Sequence, residues 1–328
     1  MFAPRMSVVM PVFNVEDFIE QAIQSVLDQS FKDFELIIVD DGGSDGSMAI
    51  ARSFDDPRIR IVSQKNRGLA GARNTGIACA RAPLVALLDS DDRWHEDKLL
   101  LHYVHLQANP GIGVSYSGSR LIDEHGDVMR VAMRPKLTGV CAADILCRNP
   151  VGNGSAPVLR KEALDRAAFS HPEEPSRICW FDENFRQSED IELWVRLAAL
   201  HDVQFEGIKG LLTDYRIIGG ALSANVVKQY VSWTRMLDVA AANTPALVAG
   251  HGDRARAYQL RYLARRSIQL GNVELARDLF NRALRSKWRI LLEEPVKSAI
   301  TYCAILLAKL AGPETFKRIA RPFLKAAA

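Results

Sequence analysis

Apolar and polar positions follow two different periods along the first two thirds of the chain. SVVMPVF is a short strand-forming run closed by Asn14, and VEDFIEQAIQSVLDQ follows with Phe18, Ala22, Ile23, Val26 and Leu27 at helical spacing. FELIIVD, IRIVSQ and APLVALLD repeat the continuous apolar run, with SMAIARSF and GLAGARNTGIACA as helices between them. Such runs separated by helices predict parallel strands buried on both faces, hence an α/β sheet flanked by helices. SYSGSRLIDEHGDVMR changes the pattern: two strand-like pieces flank His125-Gly126-Asp127, which predicts a hairpin. EDIELWVRLAAL is an amphipathic helix. Beyond about residue 224 the strand pattern stops and only helical spacing remains. There, Gly271-Asn272-x-Glu274-x-Ala276-x-x-x-Phe280-x-x-Ala283-Leu284 matches the second helix of a tetratricopeptide repeat. With no second copy, the expectation is a helical hairpin packed on the first domain, since such repeats are stable only in stacks. The predicted division is therefore a domain over residues 1–224 and a helical region over residues 225–328.

Composition narrows the class. Of 328 residues, 48% are hydrophobic and 25% charged, which excludes a disordered chain. No apolar run reaches the roughly 18 residues that a spanning helix needs. Five cysteines, an odd number with no C-x-x-C spacing, suit a cytosolic protein with reduced thiols. The net charge of +3 conceals an asymmetry: residues 225–328 hold 18 Lys and Arg against 7 Asp and Glu, so the preceding residues are net acidic. An acidic half suits a metal and its ligands, and a basic half suits phosphate groups or an acidic partner. Nucleic acid is not expected, because the basic residues are not interleaved with stacking aromatics.

Acidic residues and glycines gather where apolar runs end. FELIIVD leads into Asp41-Gly42-Gly43-Ser44-Asp45-Gly46, and APLVALLD leads into Ser90-Asp91-Asp92. Ligands of open α/β sheets bind outside the carboxyl ends of the strands, so both clusters lie where a site is expected. A single cluster would read as a surface turn. Carboxylates two apart, Asp89 and Asp91, can lean toward one bound group, and their crowding calls for a cation. Hard oxygen ligands suit Mg²⁺ or Mn²⁺, whereas zinc would need His or Cys. Asp92 also reads as the N-cap of a helix over RWHEDKLLLHYV. Trp94 and Trp194 read as core or pocket wall, and His102 and His105 as ordinary helix residues with no acid nearby. No G-x-x-x-x-G-K and no G-x-G-x-x-G after the first strand is present, which excludes P-loop and dinucleotide-binding readings.

The order Pro11-Val12-Phe13-Asn14, Asp40-Asp41-Gly42, Asn66-Arg67-Gly68-Leu69-Ala70-Gly71-Ala72-Arg73-Asn74-Thr75-Gly76, Asp89-Ser90-Asp91-Asp92 and Glu189-Asp190-Ile191-Glu192-Leu193-Trp194 resembles glycosyltransferase family 2 over roughly residues 5–224. The resemblance implies a GT-A fold (a Rossmann-like, mainly parallel sheet flanked by helices). It also implies an inverting transferase that uses a nucleotide-diphospho-sugar, usually a UDP-sugar. Pro11, Phe13 and Glu16 would line the nucleotide, Asp40 or Asp41 would accept from the base, and Arg73 would reach base or diphosphate. Asp89 would contact ribose or sugar, and Asp91 would bind the metal. Asp190 would be the catalytic base, with Glu189 orienting it or touching the acceptor. Asp190 also reads as an acid placed at a helix N-terminus. The chain departs from the family pattern at Phe13, where Tyr is usual, at Gly43, where Ser is commoner, and at Ile218, where relatives often carry His. Arg216 is the residue expected to reach the diphosphate in that histidine's place. Two other readings compete: a sugar-nucleotide-binding protein without turnover, and a nucleotidyltransferase, which should carry a basic glycine-rich loop near its N-terminus.

The basic half contains an apolar helical stretch between Pro295 and Pro313, flanked by Lys297, Lys309, Lys317, Arg318 and Arg321. It is too short to span a bilayer. Docking on the catalytic domain is the first expectation, and a position in a membrane interface the second. The partners implied are a nucleotide-sugar donor and a glycan or lipid-linked glycan acceptor. The implied location is the cytoplasm, with peripheral contact at the inner face of the membrane.

Overall fold

The computed structural model of the chain describes residues 3–218 and 225–311. β1 (Met6–Val12), α1 (Ile19–Leu27), β2 (Phe34–Asp40), α2 (Ser47–Ser53), β3 (Ile59–Ser63), α3 (Gly68–Cys79) and β4 (Leu84–Leu87) alternate as the apolar pattern predicts. The four strands are parallel, in the order β3-β2-β1-β4. β1 and β4 are buried along their whole length, which is why their sequences are apolar runs without alternation. Val12 pairs with Asp40 and Asp40 with Ser63, while Val9 pairs with Leu87. The strands therefore end along one edge, and the Asp40–Asp41 and Asp89–Asp92 segments leave from it.

The chain continues through β5 (Arg93–Trp94), α4 (Lys98–Ala108), β6 (Ile112–Ile122), β7 (Val128–Met133), α5 (Ala142–Arg148), β8 (Val158–Arg160) and α6 (Lys161–Arg166). β6 and β7 form the predicted antiparallel hairpin. β9 (Phe169–Ser170) and β10 (Ile178–Cys179) make a separate two-stranded sheet, followed by α7 (Glu189–Leu200) and β11 (Gln204–Arg216). The main sheet has nine strands and runs on from β4 as β8-β6-β11-β5, with β7 beside β6. β11 is parallel to β6. It is not among the strands the pattern predicts, because Glu206, Lys209 and Gly210 break its apolar run. Gly210 takes a positive φ of 120° where the register slips between Ile208 and Leu211.

After residue 224 come α8 (Val226–Asn243), α9 (Pro245–Gln269), α10 (Val273–Lys287), α11 (Ile290–Glu293) and α12 (Pro295–Ala311). α9 and α10 are the expected hairpin, turned at Gly271 (φ 83°), and the Asn272 side chain caps α10 by accepting from the Leu275 N–H. The region is larger than one hairpin. A single apolar cluster runs from Val9 and Leu87 through Trp194 and Phe205 to Trp233, Leu263, Phe280 and Ile305, so these helices share the core of the sheet. α12 buries Ser298, Thr301, Ile305 and Ala308 on one face, while Val296, Ile300, Leu307 and Leu310 on the other are 68%, 59%, 55% and 84% exposed. Lys317, Arg318 and Arg321 lie outside the described residues, as do Gly219 to Ser223 of the Tyr215–Ser223 segment.

α3 lies close against β1 because Gly76 has no side chain. A Cβ placed there would sit 2.2 Å from Val9 Cγ1, in a strand with no room to recede. Gly76→Ala should therefore lower stability by about 1–3 kcal/mol despite the better helix propensity of alanine. In urea the midpoint should fall with an unchanged m-value.

Candidate active site

Loops that follow β1 and β2 are tied to one another by side chains reaching backbone amides. The Asn14 Oδ1 accepts from the Ser44 N–H at 2.8 Å, and Glu16 Oε2 accepts from the Gly46 N–H at 2.6 Å. Asn14 takes a left-handed φ of 53° to do so. Asp40 accepts from the Gly42 N–H and from the Ser63 hydroxyl, both at 3.1 Å. Asp41, 2% exposed, accepts from Gln64 Nε2 (2.7 Å) and from the backbone N–H groups of Arg67 and Gly68 (2.9 Å each). Both of its oxygens are thus occupied by the start of α3, an arrangement that also sets a carboxylate at a helix N-terminus. Phe13 stands 48% exposed at this rim, and Pro11 is buried beneath it.

Arg73, in the middle of α3, makes the contact that joins distant parts of the chain. Its Nη2 donates to Asp89 Oδ1 at 2.6 Å and its Nη1 to Glu189 Oε1 at 2.7 Å, with side-chain exposures of 2% for Arg73, 22% for Asp89 and 7% for Glu189. The guanidinium also lies over the Phe181 ring. Both ends of the fork are taken up by protein carboxylates, which differs from the expected reach to base or diphosphate. Asn74, the next residue, accepts from the N–H groups of Trp180 and Phe181 and donates to the Phe181 carbonyl. One turn of α3 thereby positions the segment leading into α7. Ser188, in front of Glu189, holds a left-handed φ of 63°, the kind of strained position that concentrates at functional sites.

Asp92 is not a helix cap. α4 begins at Lys98 with Asp97 before it, and Asp92 is buried, accepting from the Ser155 hydroxyl (2.6 Å) and the Arg216 N–H (2.9 Å). Ser155 in turn accepts from the Asp89 N–H at 2.9 Å. Arg216 is also placed differently from expectation. Its guanidinium donates to the carbonyls of Asp91, Asp123 and Glu124 and to Gln21 Oε1, so it holds the Asp91 backbone and reaches no open space. Behind the Ser155 loop, buried Lys98 donates to the Ala156 carbonyl at 2.7 Å. His102 and His105 both contact the Ser115 hydroxyl, and His105 Nε2 lies 3.0 Å from Glu206 Oε1, so an acid does accompany this pair. That acid comes from β11, across the sheet. Trp94 and Trp194 are core residues.

The electrostatics of the acids follow from crowding. Burial, and then the charge of Asp89, raise the Asp91 carboxyl to about 6, and burial holds Asp92 well above the ordinary range. Burial and the neighbouring Glu189 raise Asp190 to about 7, while Arg73 pulls it down. Asp190 thus lies in the fields of Glu189, Arg73 and Asp89, and Asp91 in those of Asp89, Arg216 and Arg73. Among the described residues, no three His, Cys, Asp or Glu side chains are close enough to hold an ion by themselves. Asp91 nevertheless fits a single protein ligand: its neighbours' carboxylates are engaged by Arg73, Ser155 and Arg216, whereas among the described residues no other side chain bonds to its own. A hard divalent ion there would complete its shell with phosphate oxygens and water. A separate groove of about 520 Å³, lined by residues such as Gln21, Gln24, Arg93 and Asp214, includes none of Asp41, Asp89, Asp91 or Asp190.

Residues 7–165 match the glycosyl transferase family 2 model. They are a family 2 glycosyltransferase domain. An uncharacterised glycosyltransferase of Rickettsia felis is 32% identical over 220 residues, covering 66% of this chain and 33% of that protein, so the chain spans about a third of that relative. The UDP-Glc:alpha-D-GlcNAc-diphosphoundecaprenol beta-1,3-glucosyltransferase WfgD of Escherichia coli is 28% identical over 224 residues, 68% of this chain and 81% of that one. Two solved structures share the GT-A fold. The mannosyltransferase PcManGT of Pyrobaculum calidifontis, in complex with GDP-Man and Mn²⁺, has a TM-score of 0.57 at 16% identity, covering 94% of this chain and 87% of that one. Residues 1–349 of S. aureus TarS, in complex with UDP-GlcNAc, give 0.55 at 15% identity, covering 97% and 91%.

Within the family 2 domain, Gly154 and Ser155 are site residues that motif reading missed. A Cβ on Gly154 would sit 2.2 Å from Arg73 Nη2 and 2.8 Å from Asp89 Oδ2, so only glycine lets this loop pass over the bridge. The available signal was the small-residue run Gly152-Asn153-Gly154-Ser155-Ala156 in front of β8. Asp190 generates a prediction about stability. Its carboxyl rises from an ordinary 3.8 to about 7 on folding, so its ionisation opposes folding increasingly from about pH 4 to pH 7 and fully above. Asp190→Asn should melt higher than the native chain at pH 8, and the difference should shrink as the pH falls through 7 and close only below about pH 4.

Proposed function

We propose that the chain transfers a sugar from a nucleotide-diphospho-sugar, preferentially a UDP-sugar, to an acceptor hydroxyl with inversion. The acceptor would be a glycan or lipid-linked glycan of a bacterial surface polysaccharide or glycolipid. The observation that carries this reading is the Asp89–Arg73–Glu189 bridge, which sets the acids after β4 against the N-terminus of α7 and Asp190. Asp91 would hold Mn²⁺ or Mg²⁺, whose role is to neutralise charge on the departing diphosphate. Phe13, Glu16 and Asp40 would form the rim on which a nucleoside rests, with Pro11 beneath it and Asp41 acting through the loop it fixes. Asp190 would take the proton of the acceptor hydroxyl as its oxygen bonds to the anomeric carbon and the bond to the diphosphate oxygen breaks. A carboxyl that titrates near neutrality suits that exchange, and Glu189, locked on Arg73, would orient it. The relative WfgD, named for UDP-Glc and a diphosphoundecaprenol acceptor, supports both substrate classes.

The exposed face of α12, with Lys297 and Lys309 beside it, supports peripheral contact with the inner face of a membrane, where lipid-linked acceptors reside. No helix among the described residues is long and apolar enough to cross one.

A melting screen against UDP-, GDP- and dTDP-sugars, with and without Mn²⁺, tests the donor. A ligand at 100 times its dissociation constant adds about 2.7 kcal/mol, a readily seen shift. Asp91→Asn should lose the metal-dependent part of that shift. Asp190→Asn should keep donor binding and lose transfer by about a hundredfold or more. No shift with any donor, or normal transfer by the Asp190 variant, would overturn the reading.

A further inference from the structure

The catalytic scheme leaves a second charged cluster unused, where α5, α9 and the α11–α12 corner meet. Arg148 ends α5, Arg254, Arg261 and Arg265 recur at helical spacing along α9, and Lys297 lies in the first turn of α12. Among the described residues, Glu293 and Glu294 are the carboxylates within ion-pair distance of any of these five cations. Glu294 is shared by Arg148 (2.9 Å), Arg261 and Lys297 (2.8 Å), and Glu293 pairs with Arg254 at 2.9 Å. The guanidinium groups of Arg148, Arg254 and Arg261 all lie over the ring of Tyr258, at 4.5, 5.6 and 5.3 Å from its centroid. Arg261 is fully buried and its Nε has no hydrogen-bond partner. Arg265, half-buried one turn further along the same face, has no carboxylate within ion-pair distance among the described residues.

Such an arrangement is unfavourable without an anion. A buried cation gains stability only from opposite charge and filled hydrogen bonds, and here two carboxylates face five cations, of which Arg261 is buried while Arg148, Arg254 and Lys297 are partly exposed. The electrostatics of two members point the same way. Burial and then Arg148 and Arg265 lower Arg261 to about 10, and burial followed by Arg148 lowers Arg265. Planar guanidinium forks around a deficit of negative charge can each donate two parallel N–H bonds to a pair of oxygens of a phosphate ester.

We propose that Arg148, Arg261, Arg265 and Lys297 form a binding site for a phosphate or diphosphate ester, distinct from the donor's. In the proposed reaction the group would be the diphosphate of a lipid-linked acceptor or the headgroup of an anionic lipid. That assignment of source rests on the proposed acceptor class; the anion site itself does not.

The full chain, melted in EDTA so that no divalent ion assists the donor site, should be stabilised by inorganic pyrophosphate. Arg265→Gln should raise the melting temperature of the unliganded chain, because it removes an unbalanced charge, and weaken pyrophosphate binding at least about tenfold. Arg148→Gln should weaken it likewise. UDP with Mn²⁺ should shift the Arg265 variant as it shifts the native chain, which separates this test from that of the transferase reading. Co-sedimentation with phosphatidylcholine vesicles, with and without phosphatidylglycerol, distinguishes the sources. Pyrophosphate release of the chain from phosphatidylglycerol vesicles assigns the site to headgroups, and pyrophosphate binding without any vesicle effect assigns it to an acceptor. A pyrophosphate response that is absent, equal in both Arg variants and the native chain, or displaced by UDP would overturn the proposal.

Discussion

One ion-pair bridge sets the geometry on which the site depends. Asp89 leaves the sheet after β4 and Glu189 opens α7, a hundred residues later, and Arg73 holds a carboxylate of each. Arg is suited to this task because its guanidinium can engage two carboxylates at once with directed N–H bonds, which an ammonium cannot do with the same geometry. In a buried setting the pairing is obligatory. Removal of the cation would leave acids facing one another with little water to screen them. The cost of collecting Asp89, Asp91, Glu189 and Asp190 in one place is thus met mainly by a single side chain from α3, and a divalent ion would complete the balance.

Around that bridge, the structure assigns supporting work to residues that motif reading placed against the ligand. Asp41 is saturated by Gln64, Arg67 and Gly68, and Arg216 by the carbonyls around Asp91 and the 123–124 turn. Each fixes a loop from which another residue faces the site. Ser155 does the same between Asp89 and Asp92. Burial and crowding raise the carboxyls of Asp91, Asp92 and Asp190 together, and of these Asp92 is held by Ser155 and Arg216.

The C-terminal helices are built into this arrangement rather than appended to it. Their apolar faces join the core beneath the sheet. Their polar residues meet α5 in a cluster of like charge that the protein's own acids only partly balance, and the outer face of α12 keeps an apolar stripe exposed. Both features are costly in isolation.

Apolar periodicity alone specified the β1–β4 succession, the β6–β7 hairpin, α7 and the helical last third, because burial on two faces, on one stripe or in alternation leaves a direct imprint on residue order. Motifs shared with family 2 pointed to Asp91 and Asp190, because a short motif is a local property of the sequence. Tertiary structure alone decided that Arg73 would clamp two acids, that Asp92 would bond to Ser155 and Arg216 instead of capping α4, and that β11 would join β6. Partners more than sixty residues apart are chosen by the packing of whole elements, and a hydrogen bond between them leaves no periodicity in the sequence. The unbalanced charge on α9 has the same origin: the sequence counts the arginines, and only the fold shows how few carboxylates reach them.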